Sequence, residues 1–340
     1  MKKFWPWLKW LLAALLLLLV TGVASVTWML AHPPALTPFD SLRWPDTAVP
    51  SSPLKVSFLG VATVLLDDGE TALMTDAFFS RPDRMSSLAG TVQPDLDAIT
   101  RGMQRAGIGQ RTGKLAAIIP VHSHYDHAMD APEVAKRTGA LLLGSSSTAM
   151  IGRGWGLSES QIKVAELGKP YTFGKFTVTL YPSVHAPTGF TGGTIDAPLV
   201  PPQRAFAYKE GQSYAVLVEH SGKRVLITGT AGWIPGALKD VRADVVMLGI
   251  GALGTQTDAY RDQLWAEVVG NVKPQRVIAI HWDDFWIPSE GPMQPMPPPL
   301  DKVDVSLGQL QRLAQRDKIE LRLPLEWKAM DVFAGLATQK

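Results

Sequence analysis

The stretch VHSHYDHAMD, Val121 to Asp130, places three histidines and an aspartate between His122 and His127, although the whole chain holds only seven histidines. Imidazole nitrogens and a carboxylate at this density are metal-ligand chemistry. His122 and His124, two residues apart at a strand end, point the same way. Asp126 and His127 follow in a turn where the chain can fold them back. The ordinary alternative is a set of solvated loop histidines. A metal needs further ligands, and His185 ends the run FTVTLYPSVH while His281 ends RVIAIH, each where a strand meets a loop. His32 and His220 fall outside this arrangement.

The elements that must position these residues can be read from the pattern. KVSFLGVATVLLDDGETALMTDAFF reads as two strands, a turn at Asp68-Gly69 and a third strand. LAAIIPV is a buried-strand run that delivers the histidines. DAPEVAKRTG predicts a helix with Asp130 as N-cap, Glu133 completing a capping box and Gly139 as terminator. ALLLGS, SYAVLVEH, RVLITGT, DVVMLGIG, RVIAIHW and IELRLPLEW read as strands, with a hairpin at Ser221-Gly222. AYRDQLWAEVV and SLGQLQRLAQR read as helices. Strands interleaved with helices predict an α/β protein with sheets inside and helices outside. The Gly- and Pro-rich stretches 185–203 and 288–300 read as binding loops, lids or disorder.

Residues 1–32 read as a signal-anchor. Leu11 to Leu30 carries no charge, follows Lys2, Lys3 and Lys9, and is long enough to span a bilayer core. The lysines keep the N-terminus cytoplasmic and send the rest across the membrane, to the periplasm if the source is a Gram-negative bacterium. A signal peptide cleaved near Val23-Ala24-Ser25 is the alternative. Residues 33–53, rich in proline, read as a linker with little structure of its own, and 54–340 as one catalytic domain. With no cysteine, the chain has no disulfide, thiolate ligand or cysteine nucleophile. The net charge is +2 without a concentrated basic stretch, so nucleic acid is not an expected partner.

HSHYDH with the later His185 and His281 resembles the metallo-β-lactamase fold superfamily. VSFLGVATVLLDDGETALMTDAFFSRP, VVMLGIGALG and IAIHWDDF are similar to motifs of the branch that includes N-acyl-phosphatidylethanolamine phospholipase D and ascorbate-6-phosphate lactonase. The resemblance covers roughly residues 54–290. It implies an αββα sandwich of two mixed sheets with helices outside. It also implies one metal site of His122, His124 and His185 and a second of Asp126, His127 and His281. Zinc suits both, one or two ions, and the second site also tolerates iron or manganese. Asp76 matches an aspartate that orients a ligand histidine, or else caps a turn.

The chain departs from the family at two positions. Thr230 stands where an aspartate normally bridges the metals, which predicts weaker occupancy of the second site. Val61 stands where the branch usually has histidine. The expected activity is hydrolysis by metal-bound hydroxide, with Asp126 positioning the nucleophile and accepting its proton, and Thr230 donating a hydrogen bond. The expected substrate is a small molecule or lipid: a phosphodiester or lipid-like ester, as the phospholipase resemblance implies, or else a lactone or β-lactam. Trp282, Phe285 and Trp286 would shape the pocket, and Arg81, Arg84 and Arg204 are candidates for holding a phosphate. Competing readings are a non-catalytic metal- or partner-binding protein on a decayed scaffold, and redox chemistry at an iron pair.

Overall fold

The computed structural model describes residues 5–46, 52–189, 191–298 and 300–337. After helix α1 (Trp5–Ala31) come β1 (Lys55–Phe58), β2 (Val64–Asp67), β3 (Thr71–Thr75), α2 (Arg84–Leu88), α3 (Leu96–Ala106) and β4 (Lys114–Ile119). One turn of helix, α4 (Tyr125–Ala128), precedes α5 (Ala131–Thr138), β5 (Leu141–Gly144), α6 (Ser146–Gly154) and β6 (Ile162–Val164). Then follow β7 (Pro170–Phe173), β8 (Phe176–Ser183), β9 (Ser213–His220), β10 (Lys223–Thr228), β11 (Val245–Gly249) and α7 (Asp258–Leu264), which runs on as a π-helical turn. The last elements are β12 (Arg276–Ile280), α8 (Val303–Asp317), β13 (Glu320–Arg322) and β14 (Ala329–Met330).

The strands form two seven-stranded mixed sheets, ordered β14-β1-β2-β3-β4-β5-β6 and β13-β12-β11-β10-β9-β8-β7. Val56, Phe58, Leu66, Leu73 and Ile119 of the first sheet pack face to face with Val178, Val216, Ile227, Met247 and Ile278 of the second. The outer face of the first sheet carries Leu65, Met74 and Ile118, covered by Ile99 of α3 and Val134 of α5. The second is covered by Leu264 and Leu310 of α7 and α8. Parallel strands buried on both faces read as unbroken apolar runs, which is why RVIAI of β12 is buried throughout. The expected αββα sandwich is the observed fold. The Ser221-Gly222 hairpin pairs His220 with Lys223, both turn residues having the positive φ of a type I′ turn.

Two expectations are corrected. The segment before residue 53 is not structureless: Thr37–Leu42 forms a 3-10 helix, and Leu36, Phe39, Leu42 and Trp44 are buried in the main core. Trp44 N–H donates to Leu323 O at 2.9 Å and Leu323 N–H to Leu42 O at 2.8 Å, beside β13. The Arg276 guanidinium lies over the Trp44 ring. The domain therefore begins near Leu36, while residues 47–51 of the expected linker lie outside the described residues. Second, Asp130 does not cap α5 with its side chain. Its carboxylate accepts from Phe79 N–H, Ser80 N–H and the Ser80 hydroxyl at 2.6–2.7 Å, tying α5 to the chain after β3. Glu133 bonds Arg137 and Trp155 instead of completing a capping box.

Candidate metal centre

β4 and the chain after it set the HSHYDH segment. Val121 N–H donates to Asp76 Oδ1 (2.9 Å), Tyr214 N–H to Val121 O (2.8 Å) and Ser123 N–H to Glu210 O (2.9 Å), so the chain is pinned between the sheets as it leaves the strand. Gly229 admits this close approach, because a Cβ there would lie 2.0 Å from Val121 Cγ2. α4 then turns Asp126 and His127 back beside His122. His185 follows β8, its N–H donating to Glu210 Oε1 at 2.9 Å; the next N–H, of Ala186, donates to the Thr230 hydroxyl at 3.0 Å. His281 follows β12 with φ at +58°.

All six expected ligands converge, in two groups. The donor atoms of His122, His124 and His185 lie within 4.8 Å of one another, as do those of Asp126, His127 and His281. In the second group the His127 Nε2–His281 Nε2, His127 Nε2–Asp126 Oδ2 and His281 Nε2–Asp126 Oδ2 separations are 3.2, 3.4 and 3.6 Å. In the first, His122 Nε2 and His124 Nδ1 are 3.1 Å apart. A tetrahedral ion with bonds of 2.0–2.1 Å has ligand atoms about 3.3 Å apart. The second group has about this spacing on all three edges and the first on its His122–His124 edge, with the His185 donor within 4.8 Å, so each group could hold one cation.

The outward nitrogens are held differently. His127 Nδ1 donates to Asp76 Oδ2 at 2.7 Å, so Asp76 orients this histidine and bonds the Val121 N–H with its other oxygen. His185 Nδ1 donates to Ala186 O (2.8 Å), and His124 Nε2 lies 3.1 Å from the Thr191 hydroxyl. His122 Nδ1 is buried without a partner among the described residues. Burial, reinforced by the neighbouring imidazoles, lowers His122 and His185 and brings His124 to about 3 and His281 to about 4, which keeps their lone pairs free. Burial also opposes a charge on His127, yet the Asp76 and Asp126 carboxylates overcome it and push the group up to about 10. Burial pushes Asp76 up to about 6 against the pull of His127, whereas Asp126 is lowered despite its burial by His127, His281 and His124.

The centre opens into a cavity of about 610 Å³, lined by His124, Asp126, His185, Thr230 and His281 and walled by Leu88, Tyr208, Phe285, Trp286, Met296 and Leu300. Loop 186–203 contributes Pro187, Thr188 and Thr191; Phe190 lies outside the described residues. Of the three expected aromatic groups, Phe285 and Trp286 line the cavity and Trp282 is core. The three arginines do not form a phosphate pocket. Arg81 and Arg84 are paired with Asp283 and Asp284, and Arg204 is exposed and outside the cavity wall. No lysine or arginine is among the described lining residues. His220 pairs with Asp68 and His32 bonds Trp28 O, both apart from this site. The sequence reading missed Glu210, Thr191 and Asp283, loop residues of ordinary polar type with no periodic spacing to mark them.

An αββα sandwich with paired His/Asp triads at its strand ends defines the class: a metal-dependent hydrolase of the metallo-β-lactamase fold. A family model described as a beta-lactamase superfamily domain matches residues 71–282, more than half of the chain, and the chain belongs to that family. It is 22% identical over 267 residues to a UPF0173 metal-dependent hydrolase of Staphylococcus aureus, covering 78% of this chain and 100% of that protein. Among solved structures it is similar in fold to Igni18, a metallo hydrolase of Ignicoccus hospitalis (15% identity, TM-score 0.48, 82% of this chain and 97% of that one). It is likewise similar to an isothiocyanate hydrolase from Delia radicum gut bacteria (14% identity, TM-score 0.49, 81% of this chain and 98% of that one).

Proposed function

We propose that this chain is an exported, membrane-tethered hydrolase that cleaves an uncharged, largely apolar carboxylic ester, lipid-like or cyclic, at a centre of two divalent ions. The observation that carries the reading is the pair of triads with closely gathered donors, opening on a largely apolar cavity with no lysine or arginine among its described lining residues. His122, His124 and His185 would hold one ion and Asp126, His127 and His281 the other; zinc suits both. Bound there, such ions supply Lewis acidity, acidifying water to a pKa of about 7 and polarising the scissile oxygen.

The chain's own groups do the rest. Asp126 faces both the second triad and the cavity, so it can orient the attacking water and take its proton. The Thr230 oxygen already accepts from Ala186 N–H, which leaves its O–H to donate toward the cavity. Leu88, Phe285, Trp286, Met296 and Leu300 exclude water and bind the apolar part of the substrate. The tether is α1, uncharged from Leu11 to Leu30 and exposed from Trp7 to Trp28.

A phosphodiester is the second reading, resting on the tether; it places the whole burden of phosphate recognition on the ions. The test is hydrolysis by the full-length protein in detergent of matched carboxylic esters, lactones and phosphodiesters, with His124→Ala alongside. Turnover of the esters or lactones, lost in the variant, is expected. Turnover confined to phosphodiesters would overturn the substrate class, and none on any substrate by a metal-loaded protein would favour a binding role.

A further inference from the structure

Behind the Asp126–His127–His281 triad three segments distant in sequence meet: the β1–β2 turn at Gly60-Val61, the stretch Asp76–Arg81 after β3, and the turn His281–Asp284 after β12. Five non-glycine residues of these segments have positive φ: Val61, Asp76, Ala77, Arg81 and His281. Such residues persist only where surrounding contacts over-determine the backbone. The contact common to all three segments is the Asp283 carboxylate. Its Oδ1 accepts Val61 N–H at 2.8 Å and its Oδ2 accepts Arg81 Nη2 at 2.5 Å, all of them buried. Arg81 Nη1 returns to Asp284 O at 3.2 Å. Gly60, at φ +104°, is what lets the pair pass, since a Cβ there would lie 1.9 Å from Arg81 Nη2.

We propose that Asp283, through its buried pair with Arg81, is a positioning residue that sets the second triad. It fixes the turn that aims His281 and, through Arg81, the segment whose Asp76 holds His127. The inference rests on the metal-centre reading above. It differs from a general structural role because it predicts selective loss at one triad.

The experiment measures metal per chain and zinc dissociation constants on the full-length protein in detergent, for wild type, Asp283→Asn and Asp284→Asn. Cobalt absorption distinguishes the three-histidine site from the site containing Asp126. Asp283→Asn is expected to keep the three-histidine site and weaken the other about 10- to 100-fold, leaving one ion per chain at limiting metal. Asp284→Asn, which removes the neighbouring buried partner of Arg84, is expected to keep both ions. If Asp283→Asn does not fold, Arg81→Lys, which loses the guanidinium fork, is read by the same quantities. Two ions with unchanged constants and only a lower Tm would overturn the proposal while leaving the metal centre intact. A wild type without metal would sink the centre and this inference together.

Discussion

The two triads stand side by side yet are braced by different chemistry. His122, His124 and His185 are all neutral donors, steadied by a threonine hydroxyl, a backbone carbonyl and the outlying Glu210. Asp126, His127 and His281 include a carboxylate and are backed by two more buried carboxylates, Asp76 and Asp283. The first triad draws His185 and Thr191 from the long loop region, whereas the second is clamped between segments of both sheets. Neutral donors with light bracing should take and release an ion without moving protons. Anionic bracing should tie ion binding to proton release and to backbone geometry.

The largest expected effect comes from removing a donor. His124→Ala should reduce hydrolysis to background and lower metal content by one ion per chain, measured on protein whose circular dichroism matches wild type; retained turnover would break the assignment of the first triad. Next is Asp76→Asn, which leaves His127 without its charged partner and should weaken metal binding at the second triad about 10- to 100-fold with the first unchanged. Thr191→Val should weaken the first triad by about 10-fold, the low end of that range, since its hydroxyl contact is uncharged and close to the cavity.

Protonation gives a subtler comparison. His122, His124 and His185 have lowered pKa values and are neutral near pH 7, so metal uptake there should release no proton from the imidazoles, leaving only any proton lost by bound water, which both triads share. His127, pushed up to about 10, carries a proton at pH 7 that must leave before its Nε2 can bind a metal. Affinity of the second triad should therefore rise with pH through neutrality, with about one proton released per ion, while the first stays flat. Calorimetric titration in buffers of different ionisation enthalpy measures this. Equal proton release at both triads would contradict the distinction.

Much of the centre was legible because metal ligands are restricted to few residue types. A concentration of histidine at strand ends is improbable otherwise, so the HSHYDH segment, His185 and His281 stand out as candidates, while their division into two triads and the role of Asp76 came from the family resemblance; the structure gathers the six donors in those two groups. The bracing residues were not legible: Glu210, Thr191 and Asp283 act through backbone N–H groups, hydroxyls and arginine, partnerships that depend on which loops meet. Asp130 reads as a helix N-cap, but the N–H groups of Phe79 and Ser80 take its carboxylate instead. In the proline-rich segment, Leu36, Phe39 and Leu42 recur every three residues, the 3-10 period, and that signal was masked by composition. α3 went unread although its ends carry ordinary signals, Asp95 accepting at its N-terminus and Gly107 in a left-handed conformation at the other.

The same correction shortens the connection between α1 and the domain. Between the end of α1 at Ala31 and the first buried domain residue, Leu36, the chain spans at most about 3.3–3.6 Å per residue. If α1 is inserted as proposed, the domain is held close to the bilayer.

The most direct test of the central claim is the number of metal ions bound per full-length chain after equilibration with zinc and removal of excess. Two ions per chain are expected, one in each triad, the ion at Asp126, His127 and His281 held less tightly because Thr230 supplies no carboxylate between the triads. No bound ion at neutral pH would contradict the paired-triad account.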